Sequence, residues 1–208
     1  MLNIVVLVSG GGTNLQALID AQARGDIRSG RLARVISSNP GAYALERAAK
    51  AGIPSTVVNR KDYADAEAFS GALLAALEDA RADVIVNAGF MCILSPRLTA
   101  RYPYKILNVH PSLIPSFCGK GYFGLRVHQA ALDAGVKVTG ATVHFVNEEV
   151  DGGPILLQRA VEVRRGDTAE TLQRRVMEEA EWQLLPRAVS LLCEGRVEIA
   201  DGKAYITE

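Results

Sequence analysis

Two polar residues near the middle of the chain stand at a spacing that suits acid–base chemistry. Asn108 and His110 lie two positions apart in an apolar segment, and β-strand alternation would point both side chains to one face. Pro111 then ends the strand, and ligands bind at the carboxyl ends of strands in an open α/β sheet. An amide and an imidazole placed there can donate hydrogen bonds to a developing oxyanion and transfer a proton. A structural histidine with satisfied hydrogen bonds is the alternative.

An acidic residue in a glycine-rich turn is a candidate partner for this histidine. Asp151 is followed by two glycines and a proline, a composition that often marks only a turn. If the fold brings it beside His110, its carboxylate would favour the imidazolium form and raise the pKa of the histidine. Both roles stay open at this point, a turn former or a charged partner.

A glycine-rich segment, SGGGTN at residues 9–14, follows the first apolar run and precedes a helical pattern. Glycines let the backbone approach a ligand closely, and free N–H groups at a helix N-terminus favour a phosphate. Thr13 or Asn14 could also cap the helix. The GxGxxG spacing of dinucleotide-binding proteins and the lysine of a P-loop are absent. We therefore predict a phosphate site, with a tight turn that binds no ligand as the alternative.

Composition and charge argue against several other classes of function. Lys and Arg number 23, as do Asp and Glu, and the resulting net charge of zero argues against nucleic-acid binding. The N-terminal apolar run is too short for a membrane span or a signal peptide, so a cytoplasmic protein is expected. The histidines and cysteines show no metal-ligand spacing, and no metal is expected. We expect small-molecule substrates, no nucleic acid, no membrane, and a monomer or homodimer.

The apolar pattern predicts a single-domain, Rossmann-like α/β fold with a mostly parallel sheet flanked by helices. Short β-branched runs predict strands at residues 4–8, 33–37, 56–58, 84–87 and 106–109. Stretches rich in alanine, leucine and glutamate predict helices at residues 14–24, 42–51, 65–80 and 96–101. Continuous apolar strands separated by helices are typical of parallel sheets that are buried on both faces.

The pattern changes after Pro111, where glycines and prolines predict a loop at residues 111–124. A helix at 125–134 is followed by two longer strands, which would pair antiparallel at one side of the sheet. These strands are predicted at residues 138–146 and 155–163. A helix at 168–194, broken at Pro186, precedes a C-terminal hairpin. The hairpin strands are predicted at residues 197–199 and 204–206.

Five segments together resemble the phosphoribosylglycinamide formyltransferase family of folate-dependent enzymes. They are SGGGTN at 9–14, AGFMCILSP at 88–96, NVHPSLIPSFCGKG at 108–121, TGATVHFV at 139–146 and DGGPILLQ at 151–158. The resemblance extends over nearly the whole chain and keeps the order of the motifs. It implies transfer of a formyl group from 10-formyltetrahydrofolate to the amine of glycinamide ribonucleotide, a step of purine biosynthesis.

The resemblance also implies roles for individual residues. The residues that would be catalytic are Asn108, His110 and Asp151. The residues that would bind the substrate are Gly12, Thr13, Asn14, Pro111 and Glu181. Of these, Gly12, Thr13 and Asn14 would hold its phosphate. The residues that would bind the folate are Met91, Cys92, Ile93, Leu94 and Asn108. Residues 1–107 would then be the phosphate-binding half, and residues 108–208 the catalytic and folate-binding half, of one formyltransferase domain.

Some positions depart from the family pattern without touching the three implied catalytic residues. They are Ala66 and Cys92, where Arg occurs in members of the family, Glu178, where Gln or Lys is frequent, and Trp182, where His is common. The loop at 118–126 is also longer than in some members. These departures bear on recognition of the folate tail and the sugar. Cys92 itself is interpreted as a small buried hydrophobic residue.

Three rival functions are kept as alternatives. A formyltetrahydrofolate deformylase would use water as the acceptor and is expected to carry an additional N-terminal regulatory domain. A methionyl-tRNA formyltransferase would need a further C-terminal domain and a basic surface, which a net charge of zero does not supply. A nucleotide-binding module without activity would have no need for the full set of Asn108, His110 and Asp151.

Overall fold

The apolar runs of the sequence form one seven-stranded sheet. The computed structural model describes residues 1–207 of the chain. The strands of this sheet are β1 (Leu2–Val8), β2 (Gly30–Ser37), β3 (Ser55–Val57), β4 (Val84–Asn87), β5 (Ile106–His110), β6 (Val138–Phe145) and β7 (Ile155–Glu162). Their order across the sheet is β3-β2-β1-β4-β5-β6-β7.

Helices connect most of the strands and cover the sheet. They are α1 (Thr13–Arg24), α2 (Ala44–Lys50), α3 (Ala66–Asp79), α4 (Pro96–Arg101), α5 (Leu125–Asp133), α6 (Ala169–Val176) and α7 (Trp182–Cys193). A short 3-10 helix at Arg60–Asp62 was not predicted. The predicted C-terminal hairpin is present as a separate pair of strands, β8 (Val197–Ala200) and β9 (Lys203–Ile206).

The predicted Rossmann-like α/β class is confirmed. Strands β1 to β5 pair in parallel, whereas β6 pairs antiparallel with both β5 and β7, as the longer strands after the loop predicted. The order reverses at β1, since β2 lies on one side of it and β4 on the other. Such a switch point opens a crevice at the carboxyl ends of the strands, where ligands bind.

Period-two alternation divides the apolar side chains of β1 between two cores. Val6 packs in the core that contains Leu18 of α1, while Leu7 packs in the core that contains Leu73 of α3. Residues 4–8 are fully buried. A strand covered on both faces needs apolar side chains on both, which is why the run is continuous rather than alternating.

The predicted break at Pro186 is wrong. Helix α7 runs through Pro186, and the irregular turn lies before it, where the segment Met177–Glu181 adopts the wider π-helical hydrogen-bond pattern. Pro186 is the fifth residue of α7, and its missing N–H leaves one backbone hydrogen bond of the helix unmade without ending the helix. Single π-turns inside helices often occur at functional sites, and this one carries Glu181 into the interior.

No helix within residues 1–207 combines the length and the apolar character needed to cross a lipid bilayer.

Candidate active site

A cavity of about 500 Å³ opens at the carboxyl ends of β4 and β5 and beside the start of α1. The residues expected at the site that line it are Asn14, Met91, Cys92, Ile93, Leu94, Asn108, His110, Pro111, Asp151 and Glu181. Gly12 and Thr13 immediately precede Asn14 but do not line the cavity. The fold therefore brings together residues from the glycine loop, from the 88–96 segment, from β5 and from the turn at Asp151.

Strand register places Asn108 opposite a histidine that sequence reasoning left without a role. Asn108 and His144 are partners in the antiparallel pairing of β5 with β6. The Nδ2 of Asn108 lies 3.1 Å from the Nε2 of His144, and the Nδ1 of His144 lies 2.8 Å from the carbonyl oxygen of Phe145. A carbonyl oxygen only accepts, so the Nδ1–H of His144 donates to Phe145, which orients the ring so that its Nε2 faces the amide of Asn108. This contact fixes the plane of the Asn108 amide.

The side chains of His110 and Asp151 meet in the same cavity. The Nδ1 of His110 lies 3.5 Å from one oxygen of Asp151, and the Nε2 of His144 lies 3.5 Å from the other oxygen. The N–H of Gly119 donates a hydrogen bond of 2.9 Å to Asp151. The Nε2–H of His110 donates to the carbonyl oxygen of Phe117 at 2.9 Å. A carboxylate thus bridges two imidazole rings at the end of β5.

Burial changes the pKa of His110 in the direction opposite to the sequence-based expectation. Burial is the largest influence on the pKa of His110 and lowers it below its ordinary value, although the hydrogen bond to Phe117 and the charge of Asp151 oppose this. The prediction that Asp151 raises the pKa of His110 is therefore right, but the predicted net increase in that pKa is wrong. Burial alone would raise the pKa of Asp151, yet contacts with His144, Gly119 and His110 bring it below its ordinary value.

The glycine loop begins α1 without the predicted side-chain cap. Gly12 occupies the N-cap position with a left-handed φ of 72°, and no side chain caps the helix. The hydroxyl of Thr13 instead contacts the sulfur of Met177 at 3.8 Å. The Nδ2 of Asn14 donates a 2.7 Å hydrogen bond to Glu181. The side chains of Thr13 and Asn14 therefore both contact the π-turn. Thr13 and Asn14 are therefore used for tertiary contacts.

Glu181 is a buried carboxyl group at the wall of the cavity. Burial raises its pKa to about 7, against the opposing effect of the hydrogen bond from Asn14. The Oδ1 of Asn14 is buried and has no partner among residues 1–207. A buried carboxyl group and an unpaired amide oxygen at one end of the cavity are well suited to accept hydrogen bonds from hydroxyl groups of a ligand.

The segment after β4 forms an apolar wall of the cavity. Met91 and Ile93 are 58% and 70% exposed, whereas Leu94 is buried in the core on the α3 side of the sheet. The N–H of Met91 donates to the hydroxyl of Ser9 at 2.9 Å, which ties this segment to the glycine loop. Large exposed apolar side chains beside a cavity are suited to cover a flat aromatic ligand.

The interpretation of Cys92 as a buried hydrophobic residue is only partly right, because its side chain is half-buried and lines the cavity. We expect Cys92→Ala to keep kcat and the folate KM within about threefold of wild type, since a small side chain is replaced by another. Alkylation of the wild-type thiol with N-ethylmaleimide should weaken folate binding by adding bulk to the cavity wall, and activity after alkylation would be measured.

Cys118 supplies the control for this experiment. It is also half-buried, and burial raises the pKa of its thiol, which slows alkylation. Cys118→Ala should therefore remain sensitive to the reagent, while Cys92→Ala should resist it. Equal sensitivity of the two variants would contradict a thiol at residue 92 that faces the cavity.

The other three substituted positions lie outside the cavity wall, but the longer loop does not. Ala66, Glu178 and Trp182 do not line the cavity, whereas the loop at 118–126 contributes residues 119–124 to it. The loop is therefore placed to contact a ligand in the cavity, whereas the side chains at the three substituted positions are not.

Three buried polar residues that line the cavity were not predicted from the sequence: Asn87, His128 and His144. His128 is fully buried on α5, burial lowers its pKa to about 4, and neither ring nitrogen has a partner within residues 1–207. Strand alternation could not reveal His144, because its relation to Asn108 depends on register across two strands. Over the same residues, no group of three His, Cys, Asp or Glu side chains has the geometry to hold a metal ion.

The open, mostly parallel sheet, with a cavity at its carboxyl edge that contains buried polar side chains, defines an α/β protein of the Rossmann-like class with a ligand site at that edge. A comparison of the sequence with known families identifies the family within this class. Residues 2–189 match the formyl transferase family, and the chain belongs to that family.

Named relatives agree with this membership. The phosphoribosylglycinamide formyltransferase of Haemophilus influenzae is 44% identical over 206 residues, which cover 99% of this chain and 94% of that protein. The trifunctional purine biosynthetic protein adenosine-3 of Bos taurus is 46% identical over 207 residues, which cover 99% of this chain and 20% of that much longer protein. The crystal structure of glycinamide ribonucleotide transformylase 1 from Symbiobacterium toebii has a TM-score of 0.94 at 43% identity, covering 100% of this chain and 95% of that one.

Proposed function

We propose that this enzyme transfers the formyl group of 10-formyltetrahydrofolate to the amine of 5-phosphoribosylglycinamide. The observation that carries the proposal is a single cavity lined at one end by Asn14 and Glu181 and elsewhere by Asn108, His110 and Asp151. This cavity supports the proposal because hydrogen-bonding groups suited to a sugar and groups capable of acid–base chemistry line the same space. The names of the full-length relatives in Haemophilus influenzae and Symbiobacterium toebii support the same acceptor.

The two substrates would occupy opposite parts of the cavity. The glycine loop at residues 9–14 would bind the phosphate through backbone N–H groups, and Glu181 would accept hydrogen bonds from the sugar. The apolar wall at residues 91–94 would cover the folate ring system, with Met91 and Ile93 supplying exposed surface. The predicted phosphate-binding half at residues 1–107 and catalytic and folate-binding half at residues 108–208 would each contribute to both ligands, since residues 91–94 lie in the first half and Glu181 in the second.

Formyl transfer requires an amine to attack the formyl carbon while the carbon–nitrogen bond to the folate breaks. The formyl oxygen becomes an oxyanion during attack, and the amide of Asn108 can donate a hydrogen bond to it. His110 in its protonated form can donate another from Nε2, once the formyl oxygen replaces the Phe117 carbonyl as its acceptor. The attacking amine loses one proton and the leaving folate nitrogen gains one, so the net proton balance is zero. Asp151 orients His110 and stabilises its charged form.

A turnover assay with two acceptors tests this proposal. Purified protein would be given 10-formyltetrahydrofolate with and without 5-phosphoribosylglycinamide, and both tetrahydrofolate and the formylated ribonucleotide would be quantified. We expect one formylated ribonucleotide for each tetrahydrofolate, with little tetrahydrofolate formed when the acceptor is omitted. Equal formation of tetrahydrofolate with and without the ribonucleotide, and no formylated ribonucleotide, would identify a deformylase instead. Binding of both compounds with no turnover would identify a module without activity.

A further inference from the structure

Helix α2 contacts the glycine loop on one side through two hydrogen bonds to carbonyl oxygens. The backbone N–H of Ala44 donates to the oxygen of Gly10 at 3.1 Å. The Nε–H of Arg47 donates to the oxygen of Gly11 at 2.9 Å. Both bonds hold loop carbonyls toward α2, although α2 itself is not part of the cavity wall.

The planarity of the peptide bond gives these contacts a consequence for the loop N–H groups. In a trans peptide the carbonyl oxygen and the following N–H point in opposite directions. Holding the Gly10 and Gly11 oxygens toward α2 therefore directs the N–H groups of Gly11 and Gly12 away from α2. Cβ atoms built at Gly10 and Gly11 meet nothing within 4 Å, so this part of the loop borders open space. Consecutive N–H groups on one side of a loop form an anion-binding concavity.

The guanidinium of Arg47 is held in place by further contacts. Its Nη1 donates to the Oε1 of Gln16 on α1 at 3.0 Å, and its Cζ lies 5.1 Å from the centre of the Tyr43 ring. Within residues 1–207 no carboxylate forms an ion pair with it. Its positive charge therefore lies beside the loop without a neutralising partner, where it favours a dianionic phosphate.

We infer that Arg47 is a positioning residue for the substrate phosphate. It orients the peptide between Gly11 and Gly12 so that the Gly12 N–H can bind the phosphate, and it adds positive charge to the loop. Arg47 acts through the backbone and not on the reacting atoms. The inference rests on the proposed function for its substrate, but the orientation of the loop does not depend on which group accepts the formyl.

Kinetic constants of three variants test the inference. Arg47→Ala should raise the KM for 5-phosphoribosylglycinamide about 10- to 100-fold, the scale of one or two lost hydrogen bonds that involve a charged group. Its kcat and folate KM should remain near wild type. Arg47→Lys should recover only part of the loss, because lysine keeps the charge but lacks the planar fork that reaches both acceptors. Full recovery by lysine would overturn the positioning role.

Lys50 provides the matched control. It lies on the same helix and its Nζ is 5.6 Å from the centre of the same Tyr43 ring, but it donates no hydrogen bond to the glycine loop. Lys50→Ala removes one positive charge from α2 and should leave all three constants near wild type. An equal rise in KM for Lys50→Ala and Arg47→Ala would show that net charge alone acts, and would overturn the inference.

A binding measurement separates this inference from the proposed activity. Ribose 5-phosphate would be titrated into 15N-labelled protein while the amide signal of Gly12 is followed. The wild-type signal should shift on binding, and Arg47→Ala should weaken the fitted affinity by the same factor as the KM, with an unchanged melting temperature. An unshifted Gly12 signal in wild type, or an unchanged affinity in the variant, would overturn the inference. Absence of turnover with 5-phosphoribosylglycinamide would overturn only the proposed function.

Discussion

Replacing His110 by alanine or Asp151 by asparagine should lower kcat by about 10²- to 10⁴-fold, the scale of lost acid–base assistance. The two side chains are 3.5 Å apart, so each loses its function when the other is changed. The KM values should change much less, since neither residue belongs to the glycine loop or to the apolar wall. Steady-state kinetics with 5-phosphoribosylglycinamide and 10-formyltetrahydrofolate provide the measurement.

The double variant tests whether the two residues act as a unit. His110→Ala combined with Asp151→Asn should be little slower than either single variant, because groups that act together have non-additive effects. Full multiplication of the two losses would contradict a coupled pair.

A second aspartate serves as the control for the backbone. Asp151 adopts a left-handed φ of 57°, which asparagine tolerates well, so the turn should survive the change. Asp201 has a similar φ of 50° and is also followed by glycine, but it lies in the β8–β9 turn. Asp201→Asn should leave kcat at the wild-type value, and a comparable loss there would show that turn conformation, rather than charge, is responsible.

The pH dependence of kcat follows from the direction of the His110 pKa. Burial lowers this pKa, so the protonated donor form is present at low pH and is lost as pH rises through the lowered value. Asp151→Asn removes a negative charge that opposes this decrease, and should shift the decline in kcat to still lower pH. A decline that moves to higher pH in Asp151→Asn would contradict the assigned charge relation.

Replacing Gly12 by valine should raise the KM for 5-phosphoribosylglycinamide by roughly 100-fold, equivalent to about 2.7 kcal/mol of lost binding. Gly12 has a left-handed φ of 72°, which a β-branched residue adopts only with strain. A Cβ atom there would lie 2.6 Å from the Cβ and 2.9 Å from the Cα of Ala44, so the loop would be displaced from α2. The folate KM should change far less, because the atoms nearest to this Cβ belong to Ala44 and Arg47 and not to residues 91–94.

The opposite end of α1 offers a control for backbone strain. Gly25 follows the helix with a φ of 80°, and a Cβ built there meets nothing within 4 Å. Gly25→Val should lower the melting temperature through the same kind of strain while leaving the substrate KM unchanged. If Gly12→Val lowers the melting temperature but also leaves that KM unchanged, the glycine loop does not bind the substrate phosphate.

Local patterns were sufficient to predict most of the secondary structure. The runs that form β1, β4 and β5 are short, apolar and bounded by polar or glycine-rich segments, and each lies within a few residues of its predicted bounds. The antiparallel addition of β6 and β7 was also predicted, because two long strands joined by a short turn pair most readily in that way. These predictions succeeded because hydrophobic periodicity is a property of neighbouring residues.

Predictions that depended on competition between local and tertiary contacts were less accurate. Thr13 or Asn14 could have capped α1, but their side chains instead contact Met177 and Glu181 across the fold. The break expected at Pro186 lies instead in the turn that carries Glu181. Whether a side chain caps a helix depends on whether a local or a distant hydrogen-bond partner is more favourable. Distant partners cannot be identified from neighbouring residues in the sequence.

The sequence by itself determined the order of strands and helices, the membership of the formyl transferase family, and the presence of an amide, an imidazole and a carboxylate with suitable chemistry. Only the tertiary structure decided how they meet. His144 lies beside Asn108 because β6 pairs antiparallel with β5 in one particular register, and the turn between β6 and β7 places Asp151 against His110 and His144. Burial, which lowers the pKa of His110, and the contact of Arg47 with the glycine loop likewise arise only when distant segments pack together. Desolvation and hydrogen-bond geometry depend on distances in space, which residue order does not specify.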